Sequence, residues 1–172
     1  MTEDKIINGK ALYTPKGAAM EYGRIGCNFY TGCPHECEYC YLKRGITGKA
    51  LGGTEGRLKK CLVSEEHARR VLLSELDKHQ EQCQRYGIFL SFTTDPLIEE
   101  TRKMTAYTII QARSCGILVW VLTKCSTFIY DEAFMSTMEC INQAVRKYIH
   151  FGFTLTGRDD MEPKANTNAD RI

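Results

Sequence analysis

The chain lacks an excess of charge of either sign: 23 lysines and arginines stand against 21 aspartates and glutamates, a formal net charge of +2. No bulk field demands nucleic acid or an anionic membrane as partner. An apolar run near the roughly 20 residues that cross a bilayer is also missing, as is a hydrophobic signal stretch at the start. These absences predict a cytoplasmic protein with no membrane partner. A basic stripe interleaved with aromatics is absent too, so nucleic acid stays open as a partner without support from charge. The glycines between Leu42 and Lys60 are not followed by Gly-Lys-Ser/Thr, which excludes a phosphate-binding P-loop there. That leaves a surface connection with solvated Lys43, Arg44, Lys49, Arg57, Lys59 and Lys60.

Cysteine, by contrast, is plentiful: nine in 172 residues. Without a secretory signal this predicts a reducing compartment, and disulfides are not the expected use. Cys61, Cys83, Cys115, Cys125 and Cys140 are scattered over expected helices and strand ends and read as buried small apolar residues. Three others crowd into Gly32-Cys33-Pro34-His35-Glu36-Cys37-Glu38-Tyr39-Cys40-Tyr41 with spacing Cys-x3-Cys-x2-Cys. No fourth cysteine follows closely. Closed zinc and iron-sulfur sites show two ligand pairs or four ligands in register, whereas a four-iron cluster on Cys33, Cys37 and Cys40 keeps one iron open for a small molecule. The alternative is a non-catalytic structural zinc site completed by Cys27 or His35.

Cys33 to Cys40 resembles the CxxxCxxC signature of the radical SAM superfamily, and the string Thr31 to Tyr41 is most similar to its spore photoproduct lyase-like branch. The resemblance implies a [4Fe-4S] cluster that binds S-adenosylmethionine and cleaves it reductively to a 5'-deoxyadenosyl radical. That radical would abstract hydrogen from a substrate the sequence does not identify. An electron donor such as a flavodoxin or ferredoxin is implied as partner, and Tyr39 stands where the superfamily keeps an aromatic beside the adenine.

At 43% hydrophobic residues the chain is long enough for one domain with a real core. Residues 1–22 read as an irregular arm with room for one short strand, and 23–172 as the core domain. Gly23–Tyr30 is expected to be a strand that delivers the cysteine loop at its C-terminal end. Ser64 caps a helix that runs to Tyr86 and is stopped by Gly87; His67 and His79 on it are surface or packing histidines. The apolar run at 87–92 predicts a strand buried on both faces, and the apolar, β-branched run at 116–124 a further strand, with a helix between them over 97–114. A third helix spans 130–145 with Phe134, Met138, Ile141 and Val145 as its core face, and a fourth strand spans 148–156, where His150 is structural. Phe92, Leu122 and Phe153 recur about every thirty residues, the pace of βα units.

The fold class is therefore α/β, with parallel strands in a partial (β/α) barrel of the TIM-like kind and about four of six βα units present. The pattern predicts a core that stops short of closure, either a fragment of a longer protein or a chain completed by a partner, with an inactive remnant as a further alternative. By resemblance, the strand ends hold S-adenosylmethionine: Thr93, Thr94 and Asp95 after the second strand, where the superfamily often has Gly-Gly-Glu, and Thr154 and Thr156 after the fourth. Lys124, ending the third strand, is a cation for the cofactor's carboxylate or an anionic substrate. Arg158 and Glu162 lie on the same side. Asp95 has a plainer reading as the cap of the next helix.

Overall fold

The computed structural model describes residues 6–43, 58–140 and 149–172. Most of the glycine-rich connection lies outside these residues, as do Ile141 and Val145. The strands are β1 (Leu12–Tyr13), β2 (Gly26–Cys27), β3 (Tyr30–Thr31), β4 (Lys59–Lys60), β5 (Ile88–Leu90), β6 (Val119–Thr123) and β7 (Ile149–Phe153). The helices are α1 (Glu65–Lys78), α2 (Gln80–Tyr86), α3 (Glu99–Ser114) and α4 (Glu132–Glu139). Five strands form one sheet in the order β1-β2-β5-β6-β7, and β3 and β4 form a separate antiparallel pair. β1 is antiparallel to β2 and the other neighbours are parallel, so Gly26, Phe89, Trp120 and His150 stand side by side across four strands. The molecule is α/β with a mostly parallel sheet. Residues 12–13 of the expected arm belong to that sheet.

Local chemistry explains the helices. Ser64 accepts a hydrogen bond from the His67 amide, Glu65 and Glu66 fill the first turn, and Ala68, Leu72 and Leu76 repeat at four-residue spacing as the buried stripe of α1. Removing the Leu72 side chain would cost about 2–5 kcal/mol. The single helix expected to reach Tyr86 is instead two, meeting at His79, whose backbone leaves the helical region (φ −118°, ψ 23°). The bonds from His79 N to Glu75 O and from Cys83 N to His79 O persist across the joint, so this is a kink that keeps Cys83 in the core. Gly87 then takes a positive φ of 69°, with the Leu118 carbonyl 2.9 Å from where a Cβ would lie, and only glycine turns the chain into β5 there.

The core lies on the helical side of the sheet. Val119, Val121 and Thr123 of β6 are buried while Trp120 between them is exposed, the alternation of a strand covered on one face. β5, by contrast, is buried at all three of its residues. His150 is exposed and meets Trp120 edge-on at 5.9 Å. Cysteine burial also divides: Cys83 and Cys125 are buried and Cys115 is half-buried, but Cys61 and Cys140 are exposed, correcting the expectation that all five fill the core. Cys61 lies beside the small β3–β4 pair, where its sulfur is 3.0 Å from the Thr31 hydroxyl; Cys140 ends α4.

Because four strands run parallel, their C-terminal ends share one edge. The cysteine loop follows β2 and β3, Thr93–Pro96 follow β5, Lys124–Ser126 follow β6, and the segment from Thr154 follows β7. Such an edge is where α/β sheets build sites. Among the described residues no helix is long and apolar enough to cross a membrane.

Candidate functional site

The cysteine loop is fixed at its entrance by Thr93, whose hydroxyl donates to the Tyr30 carbonyl (2.6 Å) and whose carbonyl accepts from the Gly32 amide (2.9 Å). Between Cys33 and Cys37, Glu36 adopts a left-handed φ of 53° and turns the chain back on itself. The five residues separating the cysteines are then held from far along the sequence. Four of them bond to Met161–Lys164: the Glu38 amide donates to the Met161 carbonyl (2.9 Å), and the His35 carbonyl accepts from the Lys164 amide (3.3 Å). Glu36 Oε1 receives Lys164 Nζ (2.7 Å), and the Tyr39 hydroxyl donates to Glu162 Oε1. His35 adds Nδ1 to the Lys164 carbonyl (3.2 Å).

Cys33, Cys37 and Cys40 all line one cavity of about 340 Å³. Its other walls include Thr94, Thr123, Lys124 and Thr154 from the strand ends and an aromatic side made by Tyr22, Phe89, Phe92 and Tyr41. Phe89 stacks on Phe92 with centroids 4.5 Å apart, and the Tyr41 hydroxyl donates to the Phe92 carbonyl. Burial pushes the Cys33 thiol up to about 12, despite hydrogen bonds from the His35 and Asp95 backbone that favour the thiolate. Burial also raises Cys37, outweighing the pull of the Lys124 charge. These thiols bind a metal only by releasing protons. Among the described residues no three His, Cys, Asp or Glu side chains meet closely enough to hold one metal ion as they stand.

Two buried carboxylates organise the polar side. Asp95 Oδ2 lies 2.9 Å from His35 Nε2 and accepts from the Lys124 amide (2.7 Å), while Oδ1 accepts from the Leu97 amide (2.9 Å) and the Thr123 hydroxyl (2.6 Å). Burial alone would raise Asp95, but the His35 contact and these donors hold its carboxyl below the ordinary value. Conversely, burial would lower His35, and the Asp95 carboxylate lifts it above its ordinary value. The second carboxylate, Glu162, is ion-paired to Lys124 Nζ (3.3 Å) and to Arg171 Nη2 (2.8 Å). Lys124 Nζ also lies 5.5 Å from the centre of the Tyr39 ring, and burial draws its ammonium below the ordinary value against the opposing influence of Cys37. Arg171 donates to the Lys124 and Thr154 carbonyls (3.1 and 2.8 Å), bracing the ends of β6 and β7.

The expected site residues thus separate into two groups. Tyr39, Thr94, Lys124 and Thr154 line the cavity with the cysteines, and the Thr94 hydroxyl oxygen is buried without a hydrogen-bond partner among the described residues. Asp95 also lines it, with both oxygens already engaged, and it is not the N-cap of α3, a position taken by Ile98. Thr93 and Thr156 are not among the lining residues. Thr93 serves the loop entrance, and the Thr156 amide donates to Asn168 (2.9 Å). Arg158 pairs with exposed Asp160 (2.8 Å). Of the two residues considered for a fourth metal ligand, His35 has both ring nitrogens engaged, and Cys27 is fully buried in β2 and not among the lining residues. Glu162, expected on the site side, is buried and not among the lining residues; sequence reasoning missed the role of Met161–Lys164 as a clamp, and it missed Arg171. Compared with known protein families, curated proteins and solved structures, the chain matches none.

Proposed function

We propose that the chain is a radical SAM enzyme with a core of the partial-barrel kind, in which Cys33, Cys37 and Cys40 hold a [4Fe-4S] cluster and S-adenosylmethionine occupies the adjoining cavity. The observation that carries this reading is the convergence of all three cysteines on one cavity that the strand-end residues Thr94, Lys124 and Thr154 also line. The donor set fits the group. A single ion needs its ligands around one point, whereas a cluster takes one thiolate per iron, so thiols that border a void suit it better than thiols that meet. The orphaned Thr94 hydroxyl, costing about 1–3 kcal/mol while unbonded, offers a contact to whatever fills the cavity.

When bound, the cluster would supply the electron that cleaves S-adenosylmethionine to a 5'-deoxyadenosyl radical for hydrogen abstraction. The residues of the chain bind, orient and exclude water. Lys124 offers a charge-assisted contact to the cofactor's carboxylate, Tyr39 offers a ring face to its base, and the Phe89–Phe92 wall keeps water out. The His35–Asp95 bond holds the ligand loop against the sheet. A flavodoxin or ferredoxin would serve as electron donor.

Anaerobic reconstitution with iron and sulfide, followed by electron paramagnetic resonance of the reduced protein, tests the proposal. A four-iron signal perturbed by S-adenosylmethionine and lost in Cys37→Ala is expected, with 5'-deoxyadenosine as product. Tight binding of one zinc with no cluster would overturn it.

A further inference from the structure

Lys124 and Tyr39 stand on different elements, one ending β6 and the other between Cys37 and Cys40, yet both line the cavity and both are held by the same carboxylate. Glu162 Oε1 takes the Tyr39 hydroxyl and lies 3.3 Å from Lys124 Nζ. The Glu162 side chain is 1% exposed and is not among the lining residues. Among the described residues its second oxygen, Oε2, makes no hydrogen bond and faces the charge of Arg171, 2.8 Å away and itself fully buried. Arg171 is committed to the Lys124 and Thr154 carbonyls and, through Nη2, to the Asn166 carbonyl. One buried anion behind the wall therefore fixes the two side chains that present a cation and a ring face in front of it. His35, the other basic side chain at the cavity, is occupied by Asp95.

We propose that Glu162 is a positioning residue of the site, holding the Lys124 ammonium and the Tyr39 ring at the cavity wall beside the three cysteines. The proposal deepens the cofactor reading and rests on it for what the two side chains meet. A carboxylate is required because two cations, Lys124 and Arg171, must be neutralised out of water while Tyr39 needs an acceptor. Supporting groups of this kind typically change ligand affinity or activity by ~10–100-fold when removed.

Two readouts test it. In the metal-free chain, acetylation of Lys124 followed by peptide mass spectrometry reports whether the ammonium is held. Glu162→Gln should raise its rate by about tenfold while the rate at exposed Lys103 stays unchanged. In the reconstituted protein, equilibrium dialysis with S-adenosylmethionine should show affinity weakened by about 10–100-fold in Glu162→Gln. That loss should largely vanish when the substitution is made in a Lys124→Met background, as expected for a residue acting through another. Should Glu162→Gln lose its thermal transition, Glu162→Asp keeps the charge and shortens the reach, and it should raise Lys124 acetylation by a smaller factor. Unchanged acetylation of Lys124 in a folded variant, or an equal affinity loss with and without Lys124, would overturn the proposal. If the wild-type protein builds no cluster or binds no S-adenosylmethionine, the cofactor reading falls, while the acetylation rates still decide whether Glu162 holds Lys124.

Discussion

His35 Nε2 and Asp95 Oδ2 lie 2.9 Å apart, 60 residues distant in sequence, both side chains almost wholly buried. This contact fastens the cysteine loop to the end of β5. Among the described residues Asp95 is the partner of the Nε2 atom, and it also receives the Thr123 hydroxyl and two backbone amides. Removing one member of a buried pair leaves the other uncompensated, at a cost of about 3–5 kcal/mol. Asp95→Ala should lose that much stability in urea unfolding, and Asp95→Asn, which keeps an acceptor, should lose less. Thr123→Val, deleting one donor, should cost about 1–2 kcal/mol.

Glu75 binds the N-terminal segment to α1 by accepting from three successive amides, Lys10 (2.6 Å), Ala11 (3.0 Å) and Leu12 (2.7 Å). A Cβ on Gly9 would sit 2.6 Å from the Glu75 carboxyl group. Glu75→Ala should cost about 1–3 kcal/mol and accelerate hydrogen exchange at these three amides. Gly9→Ala should do the same by pushing the carboxyl group away.

Glu36 pays for its left-handed backbone, which costs a non-glycine residue about 1–2 kcal/mol. Glu36→Gly removes that strain along with the exposed pair to Lys164, which is worth about 0–1 kcal/mol. The variant should unfold within about 1 kcal/mol of wild type, while Glu36→Val, branched at Cβ, should be destabilised.

Asp131 caps α4 through the Phe134 amide (2.9 Å) and pairs with Arg102 (2.7 Å). The amide bond first and Arg102 second hold its carboxyl below the ordinary 3.8. The unfolded chain therefore binds the proton more readily. The stabilisation is complete above the ordinary value and is lost as pH falls through the lowered one. Asp131→Asn keeps a capping oxygen without the charge. The difference in unfolding midpoint between wild type and variant should shrink as pH drops through this window, and a constant difference would refute the assignment.

The sheet was legible because buried strands announce themselves locally. Ile88–Leu90 and the run from Ile117 to Leu122 are apolar and bounded by glycine or polar ends, and the helix caps at Ser64 and Gly87 are short-range signals. Elements defined by distant partners were less legible. β1 is two residues long and exists as a strand through its pairing with β2. The kink at His79 carries no proline or glycine. Thr93 and Thr94 look alike in sequence, yet one bonds to the loop entrance and the other lines the cavity, a difference set by which way each faces at the strand end. The clamp at Met161–Lys164 follows no spacing rule, because its partners lie more than a hundred residues away.

That separation gives the clamp a place in time as well as in space. The bonds from Glu36, Tyr39 and His35 to the clamp span 128, 123 and 129 residues, and contacts this non-local form late, after the entropy of closing a long loop has been met. Before that, the loop is held by the shorter-range contacts to Thr93 and Asp95. A variant that docks the clamp more slowly, such as Lys164→Ala, should therefore leave the thiols between these fastenings open to oxidant for longer during refolding.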